Sequence, residues 1–206
     1  LTMVIILLLC IVPYNPELPV ETEIEYTGGM IETAIMVKDI NSGIGNSSWG
    51  RPVPIGNIFY FAANDGIHGT ELWKSDGTEA GTVMVKDINS QNGTGYGSGV
   101  PQGLVSVGNT LYFSATDGIH GQELWKSDGT EAGTVMVKDI NTENGTGNGF
   151  CCQITAVGST LYFSANDGIH GDELWKSDGT EAGTVMVKDI NNGSSNAALG
   201  YLTSFN

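Results

Sequence analysis

The chain has 206 residues, 40% of them hydrophobic, enough for one ordinary core and too many for a generally disordered polypeptide. Eight lysines and arginines stand against 23 aspartates and glutamates, and the resulting charge of −15 repels phosphate backbones and anionic lipid surfaces, which argues against a nucleic-acid partner. Thirty glycines, many in Asp-Gly, Asn-Gly and Gly-X-Gly contexts, point to short strands joined by tight turns.

The first segment, residues 1–20, differs in kind from the rest. "MVIILLLCIV", Met3 to Val12, is apolar and uncharged, and Pro13, Asn15, Pro16 and Pro19 break it. Ten residues are too few to span a bilayer and suit the core of a signal peptide. A basic segment before the run and an A-x-A-like cleavage site after it are missing, so the expectation is an export signal entered partway. A membrane anchor and a buried strand are the alternatives. "LLLC" ending at Cys10 invites a lipoprotein reading, which Leu9 opposes because a small residue belongs there. Cys151 and Cys152 are adjacent, so a bond between them would be strained, and neither the count nor the spacing of the cysteines suggests a zinc site.

Residues 21–206 are dominated by a repeat. "DGIHGTELWKSDGTEAGTVMVKDIN" from Asp65 returns almost unchanged from Asp117 and Asp167, and Trp73, Trp125 and Trp175 are spaced by 52 and 50 residues. Periods near 50 belong to propeller blades and related arrays, whose units bury their apolar faces only against neighbours. In the second unit "LVSVG" (Leu104 to Gly108), "LYFSA" (Leu111 to Ala115), "ELWKS" (Glu123 to Ser127) and "TVMVKDI" (Thr134 to Ile140) read as four strands. Gly108-Asn109, Asp117-Gly118 and Asp128-Gly129 supply the turns between them. The expected fold is all-β, a β-propeller-like array of four-stranded meander blades over 53–89, 104–141 and 154–191. A partial blade at 33–41, from the fourth-strand match "IMVKDIN", precedes them, and the start of another at 202–206, "LTSFN", follows. About three blades are few for a closed ring, so a piece of a longer protein is expected, or an open arc whose ends pair with other chains.

The pattern Glu71, Leu72, Trp73, Asp76, Gly77 and Thr78 is complete here and again from Glu123 and Glu173. It resembles the repeat of the bacterial and archaeal ELWxxDGT family, with coverage of roughly residues 33 to 206. The resemblance implies a secreted or surface-attached β-propeller-like array and supplies no catalytic residues.

Within the repeat the tryptophans are expected between neighbouring blades. Asp76, Asp128 and Asp178 are expected to build turns with their carboxylates on backbone N–H groups. With Asp65, Asp117 and Asp167 they also form the oxygen-donor set that would suit calcium, the one cofactor considered, although the spacing lacks an EF-hand pattern. His68, His120 and His170, one per "DGIHG" turn, are expected to be hydrogen-bonded turn residues, or to contact ligand, and to lie too far apart to share zinc. The links between units differ, and three carry an aromatic, Trp49, Tyr96 and Phe150, that either covers a blade junction or contacts ligand. Each link also contains an Asn-x-Ser/Thr sequence, at Asn46, Asn92, Asn144 and Asn192, which reads as a turn or a glycosylation acceptor.

The links share a face with the histidine turns in a propeller, so that face is the expected binding surface. No Gly-x-Ser-x-Gly elbow is present, and near-identical units offer little of the asymmetry an active site needs. The expected function is a secreted or cell-surface scaffold for binding or adhesion, without enzyme activity. Its partner is an extracellular protein or carbohydrate, with membrane contact only through an N-terminal anchor. The alternatives are a structural surface or matrix component that self-associates through open blade edges, and a secreted carbohydrate-active enzyme with paired carboxylates.

Overall fold

A computed structural model of the chain describes residues 22–23, 33–43, 45, 47–90, 99–142, 149, 154–197, 199–200 and 202–203. Among them every regular element is a strand, and no helix is long and apolar enough to cross a membrane. The apolar run before residue 20, the three cysteines, Tyr96, Phe150, Asn46, Asn92 and Asn144 lie outside the described residues.

Strands β1 (Thr22–Glu23) and β2 (Thr33–Ala34) pair as a short antiparallel ribbon. Three four-stranded antiparallel sheets follow. The first is β3 (Ser48–Ile55), β4 (Ile58–Asn64), β5 (Thr70–Ser75) and β6 (Val83–Lys86). The second is β7 (Gln102–Val107), β8 (Thr110–Thr116), β9 (Gln122–Ser127) and β10 (Val135–Lys138). The third is β11 (Thr155–Val157), β12 (Thr160–Asn166), β13 (Asp172–Ser177) and β14 (Val185–Lys188). Each is a meander in which every strand pairs with the next in sequence, and β7 lies against both β3 and β11.

The central strands carry apolar residues on both faces because both faces are covered. One core cluster joins Tyr60, Leu72, Val85 and Ile88 of the first sheet to Leu111, Phe113, Ala115 and Trp125 of the second. The next repeats it residue for residue, with Tyr112, Leu124, Val137 and Ile140 against Leu161, Phe163, Ala165 and Trp175. Trp125 and Trp175 therefore pack between sheets, while Trp73 is buried but belongs to neither cluster. Each fully buried Leu or Phe side chain in these clusters contributes about 1.5–3 kcal/mol relative to exposure.

Polar contacts fix the stacking. Lys74 Nζ donates to the Gly129 carbonyl and Lys126 Nζ to that of Gly179, both at 2.8 Å. Lys86 Nζ donates to the Thr134 carbonyl and Lys138 Nζ to that of Thr184, both at 2.9 Å. The Tyr60 hydroxyl rests where a Cβ on Gly129 would stand, and the Tyr112 hydroxyl does the same at Gly179. Only glycine fits this seat, for space and because φ is +88° and +85° at the two positions.

The structure departs from the sequence expectation at several boundaries. Strand β3 begins at Ser48 and β7 at Gln102, earlier than residues 53 and 104, because each continues past a bulge. The fourth strands stop at Lys86, Lys138 and Lys188 instead of running on through the "KDI" sequence, because the next isoleucine N–H is taken by a buried glutamate. Residues 35–41, read as a fourth strand, form no ladder. They still occupy a fourth strand's place, since Lys38 Nζ donates to the Thr82 carbonyl at 2.9 Å as Lys86 does to Thr134. At the other end the Leu202 carbonyl accepts a hydrogen bond from Thr155 Oγ1 at 2.8 Å. The third sheet's outer face is open, with Val187 45% and Ile190 50% exposed where Val85 and Ile88 are 6% and 5%.

Gly77 has the same backbone as Gly129, φ +89°, but nothing lies near its absent Cβ. Gly77→Ala should cost about 1–2 kcal/mol of stability from backbone strain alone, and Gly129→Ala about 1–3 kcal/mol more from the clash with Tyr60. Urea denaturation of both variants checks this, and equal losses would show that the Tyr60 seat does not hold the sheets together.

Candidate functional site

In an antiparallel meander the turns after the first and third strands share one end of the sheet. The turn after the second strand and the link to the next sheet share the other. The histidines belong to the second group. Asp65 Oδ1 accepts the N–H groups of Ile67 and His68 at 2.9 and 2.8 Å, and its Oδ2 pairs with His68 Nδ1 at 2.6 Å. Asp117 with His120 and Asp167 with His170 repeat the arrangement at 2.6 and 2.7 Å. The hydrogen bond to Asp65 raises the His68 pKa above its ordinary value. Burial pushes Asp65 up, but the His68 and Ile67 hydrogen bonds outweigh it, so this carboxyl titrates below the usual carboxylate value. The imidazoles are 37–39% exposed, oriented by their aspartates and open to solvent.

Beneath these turns lies a feature that sequence reasoning missed. Glu71, Glu123 and Glu173, the first letter of each "ELW", are fully buried. Glu71 Oε2 accepts the Ile88 N–H and Oε1 the Gly99 N–H, both at 2.9 Å. Glu123 holds Ile140 at 3.0 Å and Gly149 at 2.9 Å in the same way. Glu71 and Glu123 thus each tie the end of a fourth strand to the end of the following link, while Glu173 accepts the N–H groups of Ile190 and Asn191 at 2.8 and 3.3 Å. Backbone bonds complete the junction, from Val100 N–H to the Thr70 carbonyl at 3.0 Å and from Thr116 N–H to the Gly99 carbonyl at 3.0 Å. The link ends therefore sit beside the histidine turns. The signal for this role was the identity of the glutamate in all three copies despite its place in an apolar strand.

The second set of turn aspartates lies at the opposite end, in the turns after the third strands. Asp76 Oδ1 accepts both the N–H and the hydroxyl of Thr78, at 2.9 and 2.7 Å, and Asp128 and Asp178 do the same with Thr130 and Thr180. Thr78 Oγ1 accepts the Gly81 N–H at 2.9 Å, and a Cβ on Gly81 would overlap the Asp76 carboxylate. This accounts for the spacing of "DGTEAG". The six aspartates considered as oxygen donors are divided between the two ends of the sheets, and each closes its own turn. Among the described residues no three His, Cys, Asp or Glu side chains are grouped to hold a metal ion. Asn192 is exposed in a turn, and the Trp49 backbone pairs with Ala62 in the first sheet.

No protein-family model matches the chain, and no curated protein matches it. Among solved structures it is similar to puromycin hydrolase, at 12% identity and a TM-score of 0.45 over 67% of this chain and 19% of that one. It is similar also to a mutant of that hydrolase complexed with PGG, at 12% identity and 0.45 over 68% and 20%. The chain spans about a fifth of the length of these proteins, and likeness at this level assigns it no residue role.

Above about pH 4.5 the glutamate and histidine titrations combine in one direction. Burial raises Glu71 and Glu123 from an ordinary 4.5 to about 7, against the pull of the amides they accept and helped by Asp87 and Asp139. Between those values the folded chain keeps a proton that the unfolded chain has released. The contribution is therefore complete below pH 4.5 and lost as pH rises through about 7. The raised histidines act in the same sense, their contribution being present below the ordinary 6.5 and lost above. The lowered aspartates contribute above 3.8 and lose that contribution as pH falls further. Melting temperature should be highest near pH 5 and fall by roughly 10 °C or more by pH 8. A profile flat across this range in differential scanning calorimetry would contradict the assignment. Glu123→Gln, which points an amide at one of two N–H donors, should cost about 1–3 kcal/mol.

Proposed function

We propose that the chain is an exported β-propeller-like binding or adhesion scaffold whose working surface is the face carrying the histidine turns and the links, with a protein or carbohydrate as ligand. The contact of β7 with both β3 and β11 supports the propeller reading, since the first strands of adjacent blades meet around a common axis. The observation that carries the functional reading is the glutamate junction. Buried carboxylates anchor the roots of links that differ from unit to unit onto sheets that hardly differ at all. A rigid scaffold with variable loops rooted on one face is the arrangement that binding proteins share. The resemblance to the ELWxxDGT repeats adds an extracellular setting.

A second reading, the self-associating structural component, is favoured by the open outer face of the third sheet. Lys176 and Lys188, whose counterparts bind the next sheet, are exposed there without partners among the described residues.

Hydrogen exchange with and without a ligand drawn from glycan and extracellular-protein panels separates the two. The scaffold reading expects new protection at residues 66–70, 99–101 and 118–122. Concentration-dependent protection confined to residues 185–190 and 155–157, with none at the histidine turns, would replace it with the structural component.

A further inference from the structure

The first strands of sheets one and two enclose a groove of about 750 Å³ that the repeat does not account for. Its walls come from two β-bulges that face each other. In β3 the register shifts between Trp49 and Val53, and in β7 between Gln102 and Val105. Bulges of this kind re-aim side chains and are common beside binding sites. The bulge in β3 carries Arg51, the only arginine in the sequence. At the corresponding place in the second unit the residue is Gly103, so Arg51 breaks the repeat.

Arg51 is exposed and makes no ion pair or hydrogen bond with any described residue. The contrast with the lysines is sharp: Lys38, Lys74, Lys86, Lys126 and Lys138 all spend their ammonium groups on carbonyls of a neighbouring sheet. In a chain with 23 acidic residues, the groove around this free guanidinium is lined by none of them.

A second, independent observation falls on the same groove. Val100, in its lining, has φ +36° and is the only non-glycine with positive φ among the described residues. A β-branched side chain in that region is strained. The strain is held in place from several sides. The Val100 N–H donates to Thr70, its carbonyl accepts from Gln122 Nε2 at 3.5 Å, and the preceding Gly99 is fixed by Glu71. Overdetermined strain of this kind gathers at ligand sites. Here it sets Pro101 and Gln102 opposite Arg51.

We propose that this groove binds the C-terminal end of a peptide with an apolar last residue and basic residues before it. The inference rests on the binding-scaffold reading above and names the partner of that face. A guanidinium presents a planar pair of donors that matches a carboxylate, and an unpaired one in an acid-free groove calls for an anion. The remaining side-chain walls are Pro52, Val53, Val100, Pro101 and Leu104, with Gln102 and Thr70 the polar groups beside Arg51. The apolar members suit an aliphatic or aromatic side chain and give the several hydroxyls of a sugar few partners. The charge of −15 around the groove repels a polyanion and attracts basic residues, so the ligand carries a single terminal carboxylate on a cationic chain. The groove's size holds a last residue and one or two before it.

The test is fluorescence anisotropy of the whole chain with a labelled Lys-Lys-Gly-Ser-Leu peptide, its C-terminal amide, and a version ending in aspartate. The free acid should bind at least about tenfold more tightly than the amide or the aspartate version. Arg51→Met should remove the difference between acid and amide without changing the melting temperature, because Arg51 is exposed, and Arg51→Lys should restore part of it. Equal binding of acid and amide, or a difference that survives Arg51→Met, overturns the proposal. If none of the peptides binds while a saccharide ending in one uronate does so through Arg51, the peptide assignment fails and the link-face reading stands. Arg51-dependent peptide binding whose hydrogen-exchange footprint avoids residues 66–69 and 118–122 keeps the groove and overturns the link face.

Discussion

A four-stranded sheet with two apolar faces cannot stand alone in water, and that constraint organises this molecule. The middle unit buries Leu, Phe, Ala and Trp against the unit before it and Tyr, Leu, Val and Ile against the unit after it. One surface is therefore the complement of the other. Copying the unit copies both halves of the interface together, so identical sheets stack without any further specification. Stability is then a sum over neighbouring units.

The same logic explains the buried carboxylates. Stacking the sheets forces the chain from the fourth strand of one to the first strand of the next, and that path leaves backbone N–H groups inside the molecule. An N–H without a partner there is costly. Glu71 and Glu123 each satisfy two such groups at once with the two oxygens of one carboxyl group. Burying them carries a desolvation cost, visible in their raised pKa values. The site end of the molecule is thus also where the fold is most sensitive to pH.

The repeat made the all-β architecture, the four-strand unit and the turn positions legible, because period-2 apolar runs and Asp-Gly pairs are local signals. The pairing of Asp65 with His68 was legible for the same reason, as both lie in one turn. Contacts between units were harder to read. Tyr60 and Gly129 are 69 positions apart, and their fit rests on the absence of a side chain. The ends of the fourth strands were misplaced because "VMVKDI" alternates as a strand should, while a tertiary contact with the glutamate ends the ladder early. Arg51 and Val100 escaped notice for the opposite reason. Attention to what the copies share passes over residues in the stretches where the copies differ.

The lysines that bridge the sheets choose main-chain carbonyls and not carboxylates. A carbonyl is present whatever side chain its residue bears, so a unit meets its neighbour without requiring a matched charge on it. Units joined in this way are interchangeable parts. One can be gained or lost by unequal recombination without a compensating substitution next door, and near-identical copies within one chain are the state such an exchange leaves behind.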